Sequence, residues 1–124
     1  MKAKKGIVAA GHKQTAEAAI EILNSGGNAY DAAVAALLAS FVTEPCMSSA
    51  GGGGFLIANT ANGGQYLFDF FCQTPINKKG LDSLDFYPVE LNFGDAQETF
   101  HIGAGSVAIP GNIAGIFDIH EKLC

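Results

Sequence analysis

The stretch Gly26-Gly27-Asn28-Ala29-Tyr30-Asp31-Ala32-Ala33-Val34-Ala35 decides the helical half of the fold. Its two glycines supply the left-handed residue that ends a preceding helix. Asn28 is a good N-cap, and Asp31 stands three residues on, close to a capping box and favourable for the positive end of the helix dipole. From Ala32 to Val42 every residue except Ser40 is apolar or alanine, which predicts a helix buried on all sides. The alanines allow neighbouring backbones to approach closely. Glu44-Pro45 closes the helix, because the residue before a proline is pushed out of the helical region.

Upstream of this stretch, Lys13–Asn24 has helical periodicity. Ala16, Ala19, Ile20 and Leu23 share one face, and Lys13, Gln14, Glu17 and Glu21 the other. Gly6–Ala10 is a short apolar run that reads as a strand. Lys2, Lys4 and Lys5 before it read as a solvated tail. Downstream, Cys46–Ala50 is a small-residue connector into Gly51-Gly52-Gly53-Gly54, which is followed by an apolar strand, Phe55–Asn59. Asn62-Gly63-Gly64 is a turn signal, and Gln65–Phe71 is a second strand, so the pair predicts a hairpin. Residues 74–103 show weak periodicity and read as mainly loop, with a short helical turn near Leu81–Phe86. Gly105–Ile109 reads as a short strand, Pro110-Gly111 as a turn, and Ile113–Cys124 as a closing amphipathic helix.

Composition narrows the possible functions. The chain has 124 residues, 48% of them hydrophobic and only 15% charged, so much of it expects burial. A formal net charge of -5 gives no bulk attraction to nucleic acid or to an anionic membrane. The longest apolar run, Ala32–Ala39 with its extension to Val42, is far short of a membrane span, and no secretory leader is legible. The 3 cysteines, Cys46, Cys72 and Cys124, form no Cys-x-x-Cys motif and read as reduced thiols. These features together predict a soluble, cytoplasmic protein without metal or cofactor.

The apparent chemical motifs have plainer readings. A phosphate loop needs a strand before it, a helix after it and a lysine at its end. The glycine run has a helix before, a strand after and no lysine, so it reads as a crossing of two backbones where no side chain fits. Gly-x-Ser-x-Gly is absent. Cys72 reads as an inert thiol on an apolar strand rather than as half of a dyad with His101. His120 and Cys124 are spaced i, i+4 on the last helix, but two ligands do not make a metal site.

Five segments in order resemble the γ-glutamyltransferase family. They are Gly6–Ala10 with a following histidine and Glu17–Gly27; Gly26–Ala35; Glu44-Pro45 with Gly51–Phe55; Asp69–Pro75; and Val107–Gly111 with Ala114-Gly115. The resemblance implies an α/β fold, part of the Ntn-hydrolase αββα architecture, with helices packed on part of a sheet. It also implies a precursor that cleaves itself, whose new amino-terminal threonine attacks a γ-glutamyl amide such as glutathione, with its own amine as base. That threonine lies downstream of any segment resembled here. Residues 1–124 would form about the first third of a large subunit, inactive alone. Their partners would be the rest of that subunit, the small subunit and a small-molecule amide. Taken alone, such a piece is expected to self-associate.

The resemblance also implies a substrate-binding segment. In the family an arginine of the Asp-x-Arg-Glu-x-Ala-Pro segment grips the substrate α-carboxylate, as a bidentate guanidinium does well. Aligned on Asp69 and Pro75, the arginine position is Phe71 and the glutamate position is Cys72, with Gln73 beside them. Phenylalanine cannot pair a carboxylate. Two alternatives therefore stand beside γ-glutamyl transfer: an acylase-like relative with an apolar pocket at Phe71, or a non-catalytic assembly piece.

Overall fold

In the computed structural model, residues 6–124 are described; Lys2, Lys4 and Lys5 lie outside them. Helix α1 spans Lys13–Ser25, and Gly26 stops it with φ +102°. Helix α2 spans Ala29–Thr43 and begins on the capping box read from the sequence. Asn28 Oδ1 accepts from the Tyr30 and Asp31 amides at 2.7 and 3.0 Å, and Asp31 Oδ2 accepts from the Asn28 amide at 2.8 Å. Such caps stabilise by about 1 kcal/mol. Strands β1 (Phe55–Asn59) and β2 (Gln65–Asp69) form an antiparallel hairpin in which Phe55 faces Asp69 and Asn59 faces Gln65. Strands β3 (Tyr87–Asn92) and β4 (Gln97–Ile102) form a second hairpin, and helix α3 (Asn112–Leu123) follows.

These elements divide into two units. Residues 6–72 and 110–124 make the first; Gln73–Ile109 make the second. The first unit holds the core: Val34 of α2, Ala58 of β1, Phe68 and Phe70 at the end of the hairpin, and Ile116 and Ile119 of α3. Tyr30, Leu37, Phe41, Leu56 and Leu123 pack against it. Gly115 has a clear packing reason, since a Cβ there would strike the Phe70 ring. The lack of a side chain lets α3 lie against that phenylalanine. Asn28 also reaches across the unit, its Nδ2 donating to the Leu123 carbonyl at 3.0 Å.

Several expectations change. Gly6–Ala10 forms no strand, and Ile7 is exposed; an isolated apolar run needs a ladder partner, and neither hairpin pairs with it. On α1, Ala19 of the predicted stripe is buried and Ala16 and Leu23 are half-buried, but the buried face is turned to include Thr15, and Ile20 is exposed. The Thr15 hydroxyl sets that rotation, bonding Thr43 Oγ1 at 2.7 Å and Glu44 Oε2 at 3.0 Å. Helix α2 is not buried all round: Leu38 and Val42 are exposed, Val42 by 81%. Gly105–Ile109 is not a strand; Ala104–Ser106 is a 3-10 turn, and Ile109 forms an isolated bridge with Gln73.

Residues 74–103 contain the second hairpin in place of the expected loop. Tyr87 faces Ile102 and Val89 faces Phe100, putting the apolar side chains on one face; His101, Thr99 and Glu90 lie on the other. His101 stacks on Phe86 with centroids 4.6 Å apart. The expected helical turn is present as Leu81–Ser83.

Candidate functional site

The geometry around Phe71 begins at the glycine run. Gly54 and Phe70 extend the β1–β2 ladder, the Gly54 amide donating to Phe70 O at 3.3 Å and the Phe70 amide to Gly54 O at 3.1 Å. Gly53 therefore lies under the chain leaving β2. A Cβ on Gly53 would sit 2.8 Å from both Phe70 O and Phe71 C, and it would also strike the Cys72 amide nitrogen. The glycine run is a backbone crossing, as the sequence suggested, and it fixes the height at which residues 70–72 run.

Alternation then sorts the two phenylalanines to opposite faces. Phe70 enters the core and is 9% exposed. Phe71 points the other way, is 53% exposed, and stacks on Phe55 with centroids 5.4 Å apart and planes 10° from parallel. Its amide donates to Asp69 Oδ1 at 3.1 Å, which turns the chain out of the ladder. Ile57 and Leu67, paired across the hairpin, continue the same exposed face. Cys72 is a free, half-buried thiol that lies beyond the strand, not within it. Gln73 opens the second unit, where its backbone exchanges two hydrogen bonds with Ile109, of 3.1 and 2.7 Å. Of the three expected substrate residues, Phe71 presents an aromatic surface, Cys72 supports the crossing, and Gln73 is held by its main chain.

Two residues of this region were not read from the sequence. Phe55 is one; its in-register position opposite the hairpin end was the available signal. Asn112 is the other. The Gly111 and Asn112 amides both donate to Gly52 O at 3.0 Å, and Asn112 Nδ2 donates to Ser49 O at 2.6 Å, so the entry to α3 is tied to the glycine run. A cap-type residue directly after Pro110-Gly111 was the clue.

Burial pushes the Cys124 thiol up from 9.0 to about 11, helped by its hydrogen bond to Asp31 and by that carboxylate's charge. Among the described residues no group of three or more metal-ligating side chains gathers. No described helix is long and apolar enough to cross a membrane.

The family model described as gamma-glutamyltranspeptidase matches residues 15–124. The chain belongs to this family. It is 33% identical over 117 residues to the glutathione hydrolase proenzyme of Escherichia coli strain K12, covering 93% of this chain and 19% of that protein. It is also 34% identical over 116 residues to the acylase ACY 1 proenzyme of Pseudomonas sp. strain V22, covering 90% of this chain and 20% of that protein. Among solved structures, the gamma-glutamyltranspeptidase of Pseudomonas nitroreducens matches with a TM-score of 0.74 and 31% identity, over 95% of this chain and 33% of that one. The fold is thus that of the gamma-glutamyltranspeptidase Ntn hydrolases. The chain spans about a fifth of the length of the curated relatives it matches and a third of the matched solved chain.

Proposed function

We propose that these residues work within a self-processing precursor that transfers or hydrolyses an acyl amide of the γ-glutamyl type. Their role there is to build the hairpin and helices on which the acyl site is mounted. The observation that carries this reading is the unbroken match of residues 15–124 to the gamma-glutamyltranspeptidase family. The rest of the large subunit and the small subunit are then the partners, and a small-molecule amide is the substrate. Three free thiols, Cys46, Cys72 and Cys124, support a reducing, cytoplasmic setting.

A second reading concerns the acyl group. Phe71 stands where the family resemblance expects a carboxylate-gripping arginine, and it is exposed and stacked on Phe55. Such a pair accepts an apolar or aromatic group and offers nothing to a carboxylate. Similarity to an acylase proenzyme supports the same reading. A missing charge-assisted hydrogen bond costs roughly 1.5–3 kcal/mol, on the order of tenfold or more in affinity. The test is Phe71→Arg in the complete protein, assayed on glutathione beside the parent and on an N-acyl amide with an apolar acyl chain. Gain of glutathione turnover in the variant, with loss on the apolar amide, supports an apolar acyl site. A parent that already turns over glutathione with α-carboxylate-dependent affinity returns the function to plain γ-glutamyl transfer. A complete protein that processes itself and acts on neither amide defeats both readings.

A further inference from the structure

Phe71 lies just past the end of the first hairpin's ladder, whose last pair is Gly54 with Phe70. Its ring stacks on Phe55, and its amide donates to Asp69 Oδ1 at 3.1 Å. Asp69 and Phe55 stand opposite each other in the register of β1 and β2, so their side chains share one face. Phe71 comes two residues after Asp69 and projects to the same side. Asp69 thus touches both halves of the aromatic pair, one by register and the other by a hydrogen bond. Its side chain is exposed, and the ion pairs among the described residues, Lys13–Glu17 and Lys122–Asp118, do not include it. The carboxylate therefore supports neither the core nor an ion pair there. A short polar side chain that bonds an amide two residues on is a device for turning the backbone.

We propose that Asp69 is a positioning residue of the acyl site: by holding the Phe71 amide, its Oδ1 keeps the Phe71 ring flat against Phe55 and presents the pair to the acyl group as one preformed apolar wall. The proposal rests on the reading that Phe71 borders an apolar acyl site. The Gly53 crossing sets the height of residues 70–72 but not the direction in which Phe71 leaves the chain. An N–H aimed at Asp69 fixes the peptide plane from which that side chain departs. Stacking between two exposed rings is too weak to do this alone, since each ring also has solvent beside it. A wall already in place spares the ordering cost that a loose phenylalanine would carry at the moment of binding. The bond uses an oxygen and not a charge, so an asparagine Oδ1 serves as well and an alanine does not. Such a role acts on binding of the acyl group throughout the reaction, so it belongs to KM and not to kcat.

The test compares the complete protein with its Asp69→Ala and Asp69→Asn variants on an apolar N-acyl anilide and on glutathione. Asp69→Ala should raise KM for the apolar anilide about fivefold and leave kcat within about twofold, and Asp69→Asn should restore the parental KM. Hydrogen exchange at the Phe71 amide is read on the same samples by fragmentation mass spectrometry. It should be about fivefold faster in Asp69→Ala and parental in Asp69→Asn. An unchanged KM in Asp69→Ala overturns the proposal. So does an equal rise in both variants, which marks a charge that touches the substrate, and so does a fall in kcat at constant KM. If Asp69→Ala does not fold, the unaltered protein decides: slowed exchange at Phe71 supports the bond, and exchange as fast as in an unstructured peptide overturns it. A parent that acts on glutathione and not on the apolar anilide defeats the reading of an apolar site, and the exchange at Phe71 then decides the positioning by itself. A parent that acts on the apolar anilide with no effect of Asp69→Ala defeats the positioning alone.

Discussion

Replacing Gly53 by alanine adds one methyl group where the chain leaving β2 crosses the glycine run. Phe70 O and Phe71 C would stand 2.8 Å from it, against the 3.4 Å at which ordinary contact begins, and the Cys72 amide nitrogen would be closer still. These neighbours are main-chain atoms, so no side chain can rotate away, and the two backbones must separate by at least 0.6 Å (3.4 minus 2.8). That separation stretches the paired hydrogen bonds between Gly54 and Phe70. Two such bonds contribute about 1–3 kcal/mol together, and overpacking of this kind costs about 1–3 kcal/mol more. The expected destabilisation of Gly53→Ala is therefore about 2–6 kcal/mol. Gly51→Ala is the control: its Cβ meets only Ser49 Oγ at 3.9 Å, and the change should stay within about 0.5 kcal/mol. Urea unfolding of parent and both variants, followed by far-ultraviolet circular dichroism, gives the comparison. A Gly53→Ala variant as stable as Gly51→Ala would refute the backbone crossing.

Four further outcomes are expected. The 124-residue chain alone should self-associate through Phe55, Ile57, Leu67 and Phe71, which form a continuous exposed apolar face; a monodisperse monomer in light scattering contradicts this. Asn28→Ala should cost about 1 kcal/mol or somewhat more, through loss of the α2 cap and the bond to Leu123, and urea midpoints check it. The Cys124 thiol has a folded value raised from 9.0 to about 11, so its contribution to stability is complete below pH 9 and declines as pH rises toward 11. Iodoacetamide at pH 8 should accordingly alkylate Cys124 more slowly than Cys46, and equal rates would refute the Asp31 contact. Finally, the 124-residue chain should release no product from a γ-glutamyl anilide; steady release surviving further purification would overturn this.

Local chemistry made the first unit largely legible. Gly26, Asn28 and Asp31 announce the α1–α2 junction because each acts through its own backbone within three residues. Asn62-Gly63-Gly64 announces the first hairpin for the same reason. Two departures depend on neighbours distant in sequence or absent. The rotation of α1 follows from Thr15 reaching Thr43 and Glu44, and no periodicity encodes that bond. The strand expected at Gly6–Ala10 had the right composition but no partner among the described residues. The second hairpin was missed although Tyr87, Val89 and Leu91 alternate with Pro88, Glu90 and Asn92. Pro88 weakens that pattern, yet a two-stranded hairpin has only edge strands, where proline is tolerated. At the candidate site, the outward facing of Phe71 could be read once Asp69 ended the strand, whereas the buried Asn112 oxygen is visible only in three dimensions.

The division of the chain also has a temporal side. The first unit is interrupted in sequence: Cys72 and Pro110 belong to one body, and Gln73–Ile109 intervene. Ile116 and Ile119, which close the core over Phe70, are translated after the other members of that core. At the usual ribosomal pace of about 5–20 residues per second, the 52 residues from Gln73 to Cys124 take roughly 3–10 s to appear. During that interval the nascent chain has α1, α2 and the first hairpin but no α3, so Phe68 and Phe70 wait uncovered. Hairpins form in microseconds, so the delay is set by synthesis rather than by the chain's own folding. Faster translation of residues 73–124 would shorten the time for which that apolar face stays open.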